Sequence, residues 1–128
     1  MSQNIETKFK YNGAEYDFDV RDADDAEKFE AAINAMKEAE KEVPKTGKTS
    51  EIIRAQCKML KDFFDGCLGA GAGVAICTDK SNISAHYAAY EHFLNYIKAQ
   101  KDDILSAKNT FAKYSNRQQR RAAAKNNG

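Results

Sequence analysis

The chain has 128 residues, 42% of them hydrophobic and 30% charged. That length admits one domain and leaves no room for a second independent core, while a mean hydropathy of −0.71 makes that core thin. The net charge of +1 hides an asymmetry: eleven acids face four bases between Glu15 and Glu42, and after Asp103 there are six cations and no acid. Partners respond to such local fields more than to the total.

Cys57, Cys67 and Cys77 are odd in number and sit among apolar residues, the pattern of reduced, buried thiols rather than of a disulfide framework. No stretch approaches the ~20 apolar residues of a membrane span, and the first residues, MSQNIETKFKY, lack the apolar run of a signal peptide. The expected location is the cytoplasm, with no membrane partner.

Thr7 to Val20 reads as a β-hairpin. Phe9 and Tyr11 alternate with lysines before Asn12-Gly13, and Tyr16, Phe18 and Val20 alternate with acids after it. Asn-Gly suits a type I′ turn because both residues accept positive φ. A lone hairpin is marginal in water, so its aromatic face must lie on something.

A first helix is predicted from an N-cap at Asp22 or Asp24 to about Glu42, with Ala26, Phe29, Ile33, Met36 and Val43 on one stripe. Pro44 and Gly47 stop it. A second, central helix runs from about Ser50 to Leu68, with Ile53, Cys57, Leu60, Phe64 and Cys67 on one face. The glycine-rich stretch from Gly66 to Val74 is expected to end the helix with a C-cap followed by a flexible or tightly turned connection, a hinge at Gly69–Gly73.

A third helix is predicted from Ser81 or Asn82 past Ile104, carrying Ile83, Tyr87, Tyr90, Leu94, Ile97, Ile104 and Leu105. Beyond Phe111 and Tyr114 the apolar period fails. The fold expected is therefore α+β, mainly α: an N-terminal hairpin packed on a bundle of about three helices. Residues 1–114 form the domain, and 115–128 form a flexible basic tail, disordered alone and helical on contact with a partner.

Two short motifs resemble nucleotide sites and fail on context. Thr46-Gly47-Lys48-Thr49 matches the end of a phosphate-binding loop, but Glu42 stands where the loop needs a glycine, and a helix precedes it instead of a strand. Gly69-Ala-Gly-Ala-Gly-Val likewise lacks the βαβ unit of a dinucleotide site. Cys67, Cys77, His86 and His92 lack the spacing of zinc ligands, so buried thiols and surface or rim histidines are expected. No cysteine or histidine is placed as a nucleophile and base. No catalytic residue, cofactor or metal is expected, and the chain reads as a binding protein.

The hairpin Phe9-x-Tyr-Asn-Gly-x-x-Tyr-x-Phe, the acidic helix start Asp22-Ala-Asp-Asp-Ala-Glu-Lys-Phe-Glu, the helical body and the terminal Asn116-Arg-Gln-Gln-Arg-Arg together resemble the tail assembly chaperones of long-tailed phages and prophages of Gram-positive bacteria. The resemblance implies a non-enzymatic role in the bacterial host cytoplasm: coating the tape measure protein, keeping it soluble and recruiting major tail protein during tube assembly. Many such chaperones also exist in a frameshifted longer form, and Ala124-Lys125-Asn126 is compatible with a slippery codon run.

The residues assigned to partner binding are Phe63 and Phe64 on the second helix, Tyr87 and Tyr90 on the third, and Arg117, Arg120, Arg121 and Lys125 in the tail. Self-association through the apolar helix faces is a further expectation. The alternative is a small nucleic-acid-binding regulator that uses the tail cations on phosphate and the tyrosines for base stacking.

Overall fold

A computed structural model describes residues 5–127, with side chains described through 117 and at 120. Two strands and four helices follow in the order β1 (Lys8–Tyr11), β2 (Ala14–Asp17), α1 (Ala23–Glu42), α2 (Thr49–Leu68), α3 (Ala72–Cys77) and α4 (Ile83–Asn127). The mainly helical α+β class expected from the sequence is the one found.

The hairpin is antiparallel, with Phe9 opposite Tyr16 and Tyr11 opposite Ala14. Asn12 and Gly13 take φ of +50° and +77° at the turn, the left-handed pair that matches strand twist. Strand alternation sends Phe9 inward between exposed Lys8 and Lys10. Its ring meets Phe93 of α4 edge-on at 4.9 Å between centroids. The Asn12 side chain donates to the Ile76 carbonyl at 2.6 Å, fastening the turn to α3.

Phe93 is the centre of the core. Phe9, Phe18, Phe29, Phe63 and Phe64 surround it, mostly in tilted or edge-to-face arrangements. These geometries bring positive ring edges onto negative faces and add to the apolar burial. Each such phenylalanine contributes roughly 1.5–3 kcal/mol by burial. α2 supplies much of the remainder through Cys57, Met59, Leu60 and Cys67 and touches α1, α3 and α4, which is the central position predicted for it. Gly66 lets α1 approach closely, since a Cβ there would lie 3.4 Å from that of Ala32.

Of the two connections expected in the glycine-rich stretch, the tight turn after a C-cap at Gly69 is the one found, and helix resumes within the stretch. Gly69 and Gly71 turn the chain with φ of +108° and +91°, and α3 then packs with Ala72, Gly73, Ile76 and Cys77 buried. A Cβ on Gly73 would come within 2.4 Å of the Lys61 carbonyl oxygen. Its N–H donates to the Asp65 carboxylate at 2.7 Å. Gly73 thus serves close backbone approach between α2 and α3, a use of glycine distinct from mobility.

α4 starts at a cap, where the Ala85 N–H donates to the Asn82 side chain at 3.0 Å. It then runs for 45 residues, about 67 Å at 1.5 Å per residue. The basic end continues the same helix, which runs through Asn127. No glycine or proline interrupts it, and alanine, arginine, lysine and glutamine favour helix by intrinsic propensity without any packing.

Candidate functional site

A buried polar clasp marks the point where α4 leaves the body. Gln100 is fully buried. Its amide oxygen accepts from the Val20 N–H at 2.9 Å, and its amide nitrogen donates to the Phe18 carbonyl at 3.1 Å and the Glu6 carbonyl at 3.0 Å. The Tyr96 hydroxyl also donates to the Phe18 carbonyl, and burial pushes its pKa up to about 12. Arg21 spans Asp19 at 2.8 Å and Asp103 at 2.9 Å, holding the Asp19 carboxyl below its usual range by hydrogen bonding. These bonds satisfy backbone groups of the strand-to-helix link that would otherwise be orphaned.

Past Ile104 the helix has no tertiary partner among the described residues, yet its apolar seam continues. His86, Tyr90, Phe93, Ile97 and Gln100 recur at steps of four and three and face the core. The same alternation continues through Ile104, Ala107, Phe111 and Tyr114. Phe111 and Tyr114 are 72% and 62% exposed. A heptad-like seam of this kind is how a helix presents itself to a partner. Lys113, Arg117 and Arg120, also exposed, follow helical spacing on a different face of this arm.

Two grooves open on the body. One, of about 620 Å³, lies between α1 and the exit of α4, lined by Val20, Ala26, Phe29, Ile33 and Ile104, with Glu30 and Lys101 at its margin. Lys101 Nζ sits 4.9 Å from the centre of the Phe29 ring. The other, of about 370 Å³, runs between α1 and α2 and is lined by Ala31, Ala35, Ala39, Met36 and Met59. A neighbouring hollow of about 310 Å³ extends its end to Val43, Ile52 and Tyr87. Alanines at four-residue steps leave space along α1, and two methionines make the floor adaptable.

The residues predicted to meet a partner are distributed unevenly. Phe63 and Phe64 are 2% and 0% exposed and pack against Phe93. They build the core, since the apolar face of α2 is covered by α1, α3 and α4, and Phe63 also lines the inner side of the α1–α2 groove. Tyr90 is half-buried against Phe63, and Tyr87 is exposed beside the hollow at the α1–α2 groove. Arg117 and Arg120 are exposed on the arm. The side chains of Arg121 and Lys125 lie outside the described residues.

Of the two histidines expected at the surface or rim, His92 is exposed and His86 is not. His86 is fully buried, with Nδ1 2.7 Å from the Asn82 carbonyl and Nε2 without a partner, and desolvation lowers its pKa. His92 stacks obliquely on Phe9 and Tyr11 of the hairpin. All three cysteines are buried and free, and burial pushes the Cys67 thiol up to about 12 and Cys77 to about 11. Such thiols are poor nucleophiles and poor metal ligands at neutral pH. Among the described residues no cluster of metal-donor side chains forms, and no helix is long and apolar enough to cross a membrane.

A clasped helix, an exposed apolar arm and two open grooves are therefore the main features of the surface. The sequence pattern of a family of unknown function, DUF6673, matches residues 12–124. The chain belongs to that family. The match takes in the hairpin turn, all four helices and most of the arm, so these surfaces fall within the region that defines the family. No curated protein and no solved structure matches the chain.

Proposed function

We propose that this protein is a tail assembly chaperone, a non-enzymatic binder that keeps a tape measure protein soluble and helps recruit major tail protein during tube assembly. The observation that carries the reading is the open apolar groove between α1 and α2, with Ala31, Ala35 and Ala39 along one wall and Met36 and Met59 within it. Small side chains let a guest helix approach, and methionines repack around guests of different sequence. A long helical client that repeats an apolar stripe suits such a groove as a helix-in-groove ligand. The resemblance of the hairpin, acidic helix start and basic terminus to tail assembly chaperones supports the same assignment.

Co-expression with helical tape measure fragments tests it. The fragments move into the soluble fraction with the wild-type protein and stay insoluble with Ala35→Glu, a change at an exposed position that places a charge in the groove. Equal insolubility with and without the wild-type protein defeats the proposal.

A second reading as a nucleic-acid-binding regulator draws on exposed Lys113, Arg117 and Arg120 on the arm. It requires binding to DNA or RNA whose affinity falls steeply with salt as counterions are released.

A further inference from the structure

We propose that the projecting half of α4 docks in the groove between α1 and α4 of a second copy of this chain, making a dimer by exchange of arms. The seam that fills the core as far as Gln100 continues outward as Ile104, Ala107, Phe111 and Tyr114, with exposed aromatic rings. The groove that would receive them is open on the same molecule, walled by Val20, Phe29, Ile33 and Ile104. The arm cannot fold back into its own groove. It leaves the body as one unbroken helix with no glycine or proline at which to bend, so the occupant comes from another molecule.

Charge selects the pairing. Lys108, Lys113, Arg117 and Arg120 make the arm cationic, while exposed Asp24, Glu27 and Glu30 make α1 anionic beside the groove. Among the described residues none of these seven groups is in an ion pair. Two arms laid side by side in parallel would set cation against cation, whereas an antiparallel pair directs each cationic end, with Lys108 flanking its seam, toward the acidic body of the other copy. Along the helix Phe111 lies about 10 Å beyond Ile104. Arms crossing antiparallel near the small Ala107 therefore bring each Phe111 beside the other copy's Ile104 and groove. Because donor and acceptor sit on the same chain, the exchange is reciprocal and closes at two copies.

Nothing here depends on the chaperone reading: a monomer could still carry a tape measure helix between α1 and α2, and a dimer could fail to. The experiment uses the full chain with a photoreactive benzophenone amino acid replacing Phe111, an exposed position, in a mixture of isotopically heavy and light protein. Cross-links from position 111 of one copy to residues 20–34 of the other are expected. Light scattering should give about twice the 14.3 kDa chain mass, falling to the monomer mass with Phe111→Ala plus Tyr114→Ala. Glu30→Arg should weaken the dimer, and added salt should do the same. A wild-type protein that is monomeric at all concentrations overturns the proposal. So do cross-links from position 111 confined to the other arm beyond Ala107, or a dimer indifferent to both the arm and Glu30 substitutions. Cross-linking at position 111 only to a co-expressed tape measure fragment assigns the arm to that client and likewise overturns it.

Discussion

The two halves of α4 have the same helical period and opposite surroundings. From Ile83 to Gln100 the seam residues Phe93 and Ile97 are buried beneath the hairpin, α1 and α2. From Lys101 onward the seam continues with Ile104, 43% exposed at the edge of the α1 groove, and then with Phe111 and Tyr114, which no element covers among the described residues. Apolar periodicity therefore says that a helix face seeks a partner. It does not say whether that partner lies in the same chain. The boundary is set by Gln100 and Arg21, whose bonds to Val20, Phe18 and Asp103 end the body.

Substitutions along α4 should separate the halves. Phe93→Ala empties the centre of the aromatic core and should cost about 3–5 kcal/mol, read as a lowered denaturant midpoint. Gln100→Leu leaves the buried Val20 N–H without its acceptor and should cost about 1–3 kcal/mol. A midpoint unchanged by this substitution would remove the clasp from the account of where the body ends.

His86 adds a pH dependence confined to the inner half. Its folded pKa is depressed by burial, so the unfolded chain binds the proton more readily. The stabilisation is complete above the unfolded value of about 6.5 and declines as pH falls below it. Thermal midpoints should drop between pH 7 and pH 5 in the wild type and drop less in His86→Leu. Phe111→Ala should have the smallest effect, under about 0.5 kcal/mol at protein concentrations too low for association. A large loss there would mean that the outer half packs on its own body, which would erase the contrast.

Much of this architecture was legible. The Asn12-Gly13 hairpin, the start of α1 after Asp22 and the span of α2 follow from local rules about positive φ, acids at a helix N-terminus and three-to-four spacing. The glycine-rich stretch was not, because glycine frees the backbone and also permits close approach. Only the position of Lys61 against Gly73 decides between those uses. Phe63 and Phe64 read equally well as core or as an exposed anchor, since composition cannot say which apolar face its own fold will cover. His86 looked like a rim residue for the same reason. The α1–α2 groove had a faint signal in Ala31, Ala35 and Ala39, but an alanine stripe marks helix as readily as a groove.

By itself the sequence determined the local elements, the acidic first helix and the basic end, because propensity, turn chemistry and charge act over a few residues. Tertiary structure alone decided which apolar surfaces were consumed. It buried the α2 phenylalanines and His86, locked α3 onto α2 through Gly73, and used Gln100 to stop the body partway along α4. Burial depends on which segments meet, and that is a property of the whole chain.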